Sequence, residues 1–206
     1  MMNQLERKQD ALQVMLSRHS VRKYERGFII PEAELNEILE AAASAPSSWN
    51  LQHWRFLVIQ EQANKDRLLP ITFGQQQVSD ASVVVVVLGD LQANLIAPTV
   101  YEKAAPEIRE MMVKQIEGAY AANPALGRDE ALRNASFAAM QLMLAAKTKG
   151  YDTVPMGGYN QAALITEFNI PERYVPVVMI PIGKAATPAR PTERLPLASQ
   201  VIHESF

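Results

Sequence analysis

The sequence predicts an α+β fold, and three observations carry that prediction. Residues 54–59 and 81–88 are rich in β-branched and aromatic side chains and read as neighbours in a sheet, while residues 174–182 read as a further strand. Around them lie segments whose apolar residues recur at helical spacing, above all residues 129–149. The chain, at 206 residues with 48% hydrophobic and 20% charged side chains, is long enough to bury one substantial core and too apolar to stay disordered. A single domain over residues 1–206 is expected.

The elements follow in chain order. Leu12, Met15 and Leu16 stand at helical spacing and give way to a polar cluster, Arg18, His19, Ser20 and Arg22. Pro31 with Glu32 and Glu34 suits a first helical turn, after which Leu35, Ile38, Leu39, Ala42 and Ala43 form one apolar stripe. Consecutive valines at 83–87 suit a strand covered on both faces. Residues 98–122 are helical again in two pieces divided at Pro106, with Ile108, Met111, Met112, Ile116 and Ala119 on one face.

The helix at 129–149 carries two stripes. Leu132, Ala135, Ala139, Leu142 and Ala146 form the first, and Phe137, Met140 and Leu144 the second, so it must be covered on more than one side. Gly150 ends it, with Lys147 and Lys149 in its last turn. Pro176 and Pro181 predict that the strand at 174–182 has edge-like or irregular ends. The tail at 185–206, with Pro188, Pro191 and Pro196, predicts an extended surface arm, of which residues 197–202 could pair with a sheet edge, its own chain's or a partner's.

Composition removes several function classes. A formal charge of −2 gives no broad field for nucleic acid or an acidic membrane, which leaves a local basic cluster as the means of binding an anion. With no cysteine there is no disulfide framework, thiolate metal site or catalytic thiol, so redox work needs a borrowed cofactor; no metal site is expected. Glu6, Arg7, Lys8 and Asp10 break any apolar leader, and the longest apolar run is too short for a bilayer, which predicts a cytoplasmic protein.

Four short segments could carry chemistry. Arg18, His19, Ser20 and Arg22 suit a phosphate, since guanidinium groups donate paired charge-assisted hydrogen bonds; the same residues suit a solvated basic loop equally well. Pro46, Ser47, Ser48 and Asn50 place small polar donors between a helix and a strand, as a capped turn also would. Pro155, Met156, Gly157 and Gly158 could let a backbone approach a flat ligand or take positive φ, or could be a loop before a helix. Lys184, Arg190 and Arg194 add cations near the end.

Taken in order, the R-H-S-V-R loop, A-P-S-S-W-N-x-Q-x-W-R-F, D-A-S before the valine strand, N-A-S-F-A-A-M-Q-L-M-L-A-A-K-x-x-G-Y, P-M-G-G and the final R-L-P-L resemble the nitroreductase family across nearly the whole chain. The resemblance implies a three-layer fold with a mostly antiparallel sheet flanked by helices, and a C-terminal extension swapped onto the partner of a homodimer. It implies FMN as cofactor, NADH or NADPH as co-substrate and a small electron-poor acceptor such as a nitroaromatic or quinone, used by a ping-pong mechanism. Residues 92–127 correspond to the part where members differ most.

Residue by residue, Arg18 and Ser20 match phosphate-holding positions, with His19 supporting that loop and Arg22 reaching toward the ribityl chain and pyrimidine side. Arg194, and beside it Lys184, match contacts to the phosphate. Pro46, Ser47, Ser48 and Asn50 match a segment lent by the neighbouring subunit, and Gln75 and Gln77 match positions at the ring's polar edge. Pro155, Met156, Gly157 and Gly158 would lie along the isoalloxazine, with a Gly158 backbone N–H near N5. Gly157 stands where some relatives carry an acid that positions the nicotinamide, and Gln77 where some carry lysine. Other reductions or oxidations on the same flavin (enal reductase, dehalogenase, azoline oxidase), a non-catalytic flavin binder and a cofactor-free helical interaction protein are the alternatives.

Overall fold

The computed structural model describes residues 11–206; the charged stretch Glu6, Arg7, Lys8 and Asp10 lies outside the described residues. Helix α1 (Ala11–Ser17) forms where its spacing predicts, but it buries Val14 and leaves Leu12, Met15 and Leu16 facing outward. In α2 (Glu32–Ala43) Leu35, Ile38 and Ala42 are buried, and Pro31 stands at the cap, one residue before the first turn expected for it.

The sheet has four strands, β1 (Trp54–Ile59), β2 (Val83–Asp90), β3 (Asp152–Thr153) and β4 (Tyr174–Gly183), in the order β1-β2-β4-β3 with antiparallel pairing throughout. Every residue of β2 is buried, as the valine run predicts. The strand starts two residues later than expected because Ala81 closes the preceding turn, its N–H donating to the Gln77 carbonyl. β4 lies between β2 and β3, which pairs with it only at Ile182 and Gly183, and its first half has the irregular end expected of it. It tolerates Pro176 through a bulge: Val87 faces Val178 but Leu88 faces Pro176, leaving Val177 as the extra residue.

Alternation along β2 divides the core in two. Val83, Val85 and Val87 pack with α2 and with α7 (Leu126–Thr148). Val84, Val86 and Leu88 pack against Leu68 of α3 (Gln62–Ile71) and Leu164 of α8 (Gln161–Glu167). Helices thus cover both faces of the sheet, a three-layer arrangement that follows from a strand apolar from Val83 to Leu88. A short helix α4 (Gln77–Asp80) leads into β2.

α7 begins three residues ahead of the predicted start. Its first stripe is buried at Ala135, Ala139, Leu142 and Ala146, whereas Phe137 and Met140 of the second are 47% and 41% exposed in the single chain. Gly150, at φ +82°, ends it as expected. The 92–127 segment forms a 3₁₀ turn (Ala93–Ile96), α5 (Ala97–Val100) and α6 (Pro106–Ala122), two helical pieces with Pro106 opening the second. Of its predicted apolar face only Ile116 is buried, because α6 touches the body along one narrow line and leaves Ile108 and Met111 outside.

Within the single chain residues 197–202 pair with no sheet edge: Leu197–Ser199 is a 3₁₀ turn in which Ser199 and Val201 donate to the carbonyls of Pro196 and Leu197. Those local bonds use the groups a ladder would need. No helix among the described residues is long and apolar enough to cross a membrane.

Candidate functional site

The basic loop after α1 is pinned to β3. Ser20 forms a parallel bridge with Thr153, the Val21 N–H donates to the Thr153 carbonyl at 3.1 Å, and Val21 is buried beneath with Tyr24 and Ala81. With the backbone held, the side chains are left unsatisfied: Arg18 Nη1, His19 Nδ1 and Thr153 Oγ1 are buried without a hydrogen-bond partner. Such orphans are rare in folded proteins and need an explanation. Beside them Ser20 and Arg22 line a cavity of about 370 Å³ with Lys23 and Arg190. An anion accepting from this loop would meet three cations and a hydroxyl, a donor set that fits a phosphate monoester.

The tail supplies its cations differently from the sequence expectation. Arg190 reaches the cavity of Ser20 and Arg22, whereas Arg194 folds back on its own segment, donating to Thr192 Oγ1 at 2.9 Å and to the Glu193 carbonyl at 3.2 Å. Lys184 is engaged elsewhere, 3.3 Å from Glu25 and 5.8 Å over the Phe28 ring. Within one chain, then, Ser20, Arg22, Lys23 and Arg190 share one cavity and the other two tail cations are occupied locally.

A second cluster forms where the glycine loop meets α4. Gln75 Nε2 donates to the Gly158 carbonyl at 2.8 Å, and Gln77 Nε2 donates to Gln75 Oε1 at 3.0 Å and lies 3.7 Å from Met156 Sδ. Met156 in turn exchanges two backbone bonds with Met179 of β4. Neither Gly157 nor Gly158 takes a positive φ; a Cβ on Gly157 would meet nothing within 4 Å, and one on Gly158 only Gln75 Nε2 at 4.0 Å. Of the two uses of paired glycines, this geometry has the open approach. The shelf is firm beneath and open above, as a flat ligand requires.

The 46–52 segment holds three of the six left-handed non-glycine residues among the described residues. Trp49, Asn50 and Gln52 have φ of 51°, 54° and 48°. For non-glycine residues such conformations cost on the order of 1–3 kcal/mol each and persist only where surroundings impose them. Ser47 Oγ accepts the Gln52 N–H at 2.9 Å. Ser48 is held twice from α7, its hydroxyl donating to Glu130 and its N–H to Asn134 Oδ1 at 3.0 Å. No hydrogen bond among the described residues joins this loop to the 18–22 loop within one chain.

Sequence reading missed Thr153, Glu130, Asn134 and the pair His53 Nε2 and Tyr120 Oη, 3.0 Å apart. Glu130 and Asn134 left a signal, since two polar residues spaced i, i+4 lie beside the alanine stripe of a helix meant to be buried. Burial raises the Glu130 pKa, but hydrogen bonds from Ser48 and Asn134 and the charge of Arg133 outweigh it and hold the carboxyl below its ordinary range.

The family model for nitroreductases matches residues 15–184. The chain belongs to the nitroreductase family. It is thereby placed among oxidoreductases. Among nitroreductase relatives, the YodC protein of Bacillus subtilis, provisionally named an NAD(P)H nitroreductase, is 46% identical over 195 residues, covering 92% of this chain and 96% of its own. A CLA biosynthesis enone reductase of Lactiplantibacillus plantarum is 34% identical over 93% of each chain. A provisionally named nitroreductase from Exiguobacterium sibiricum, solved in complex with FMN, superposes with a TM-score of 0.89 at 38% identity, covering 95% of this chain and 97% of that one.

Proposed function

We propose that this nitroreductase-family protein binds FMN and transfers electrons from NADH or NADPH to a small electron-poor acceptor, a nitroaromatic or quinone. The observation that carries the reading is the unsatisfied cluster of Arg18, His19 and Thr153 beside the basic cavity of Ser20, Arg22 and Arg190, at the place where the family resemblance puts the phosphate. The FMN complex of the Exiguobacterium relative supports the same cofactor.

When bound, FMN supplies the redox chemistry, and the chain's residues bind and orient it. Arg18, Ser20 and Arg22 would hold the phosphate and the ribityl side, with Arg190 joining from the tail in the role assigned by resemblance to Arg194 and Lys184. Arg22 would place a fixed cation toward the pyrimidine edge, where it favours added negative charge. Gln75 and Gln77 would present amides to that edge, and the neutral amide of Gln77 stands where a cation would act more strongly. Pro155 and Met156 would back the ring, and the open face at Gly157 and Gly158 would admit donor and acceptor in turn, a ping-pong scheme with loose acceptor choice. With no acid at Gly157, only backbone groups there could orient a nicotinamide.

The homodimer belongs to the same reading. Phe137 and Met140 of α7, with Met15 and Leu16 of α1, present an apolar face that one chain does not cover, and a second copy would cover it symmetrically. Pro46, Ser47, Ser48 and Asn50 would then serve the partner's flavin, and the 185–206 arm would lie on the partner. Reduction of an electron-poor C=C bond is the second reading, supported by the enone reductase relative.

Purified protein should be yellow with a flavin spectrum, bleach with NADH or NADPH, and regain colour with a nitroaromatic or quinone. Arg18→Ala should fold and lose FMN; a variant that binds FMN as the parent does would refute the phosphate assignment.

A further inference from the structure

A loop with three left-handed residues in four positions needs a clamp, and one buried carboxylate is part of it. Glu130 is only 6% exposed, yet it keeps its charge among hydrogen bonds from the Ser48 hydroxyl, Asn134 Nδ2 at 2.8 Å and Arg133. Asn134 uses its other atom on the Ser48 N–H, so the acid and amide together take both donors of a single loop residue. On the opposite side, Tyr101 of the variable segment donates to the Trp49 carbonyl at 3.3 Å. A buried charge contributes little to stability compared with an apolar side chain of equal volume, so its use here is better explained by what it holds in place.

We propose that Glu130 is a positioning residue, which fixes the strained 47–52 loop through Ser48 and thereby sets the fit of the segment one subunit lends to the flavin of its partner. The inference rests on the flavin and dimer reading above. It adds that Glu130 acts across the subunit boundary: removing it from one protomer harms the site of the other.

Subunit mixing tests this. Apo-protein of Glu130→Ala should bind FMN roughly tenfold more weakly in a fluorescence titration, while Glu130→Gln, whose amide oxygen still accepts from Ser48, should recover most of the affinity. Hydrogen exchange in Glu130→Ala should quicken over residues 48–53 and stay unchanged in β2. Mixed dimers of Glu130→Ala and Arg18→Ala, isolated with two affinity tags, should hold one FMN at parental affinity, because one site then combines an intact Arg18 with an intact lent loop. A Glu130→Ala protein with unchanged FMN affinity, or a mixed dimer without a tight site, would overturn the role assigned to Glu130 while Arg18→Ala alone still loses flavin. Arg18→Ala homodimers that bind FMN normally would instead overturn the phosphate assignment of Arg18, and a parent protein that binds no FMN would overturn the flavin reading itself, and this role with it. If Glu130→Ala does not accumulate, Glu130→Met fills the volume without the acceptor and takes its place.

Discussion

His53 is fully buried at the entry to β1, with Nε2 on the Tyr120 hydroxyl and Nδ1 unpartnered. Burial lowers its pKa from the ordinary 6.5, and the negative charges of Glu130 and Asp90 only partly oppose this. The unfolded chain therefore takes up a proton near 6.5 that the folded chain resists, so this part of the stability is complete above that value and is lost as pH falls below it. Thermal melts from about pH 7.5 to about pH 5.5 should show falling stability, with a shallower slope for His53→Gln. Equal slopes would mean that the imidazole does not titrate against the fold. Nothing around His53 in sequence marks it as buried, because its neighbours Gln52 and Trp54 fit a turn and a strand start alike; the burial that depresses its pKa is made by tertiary packing, which sets Tyr120 Oη 3.0 Å from Nε2. The cations of the 18–22 loop, by contrast, were legible as a cluster, because five consecutive residues stay together in any fold.

Among the elements, α7 shows most plainly how backbone approach sets limits. A Cβ on Gly127, in its first turn, would lie 2.5 Å from the Leu91 carbonyl oxygen, which is backbone and cannot swing aside. Gly127→Ala should destabilise by about 1–3 kcal/mol. Gly118 in α6 has open space where its Cβ would go, so Gly118→Ala should stabilise by about 0.5–1 kcal/mol through helix propensity alone. Urea unfolding of both variants gives the signs, and the same sign for both would refute the packing argument. Long periodic elements such as β1, α2 and α7 were legible in sequence within a few residues. β3, two residues long, was not, since a pair of residues carries no period. The irregular end of β4 at Pro176, a bulge in the fold, was legible, but its pairing with β3 at Ile182 and Gly183 was not.

At the scale of the molecule, the apolar stripe of Phe137 and Met140 remains in contact with solvent in the single chain. A dimer that uses it buries two large side chains per subunit, each worth roughly 1.5–3 kcal/mol. Met140→Lys should therefore shift size-exclusion elution toward the monomer and, if the 46–50 loop serves the partner, release FMN at the same step. A monomer that retains flavin would separate the two. Tertiary placement also changes which tail cation approaches the basic loop. Arg190, and not Arg194, lines the cavity with Ser20 and Arg22 within one chain.

The amino-acid order by itself determined the class of the fold, the ordered set of family motifs and the basic, glutamine and glycine segments of the site, because those depend on local periodicity and on residues adjacent in the chain. Only tertiary structure decided that Thr153 lies under the basic loop, that Gln75 ties to Gly158, and that Glu130 and Asn134 grip Ser48 from 82 and 86 residues away in sequence. Contacts of that separation arise when helices and strands pack, and no pattern of neighbours in the chain encodes which side chains will then meet.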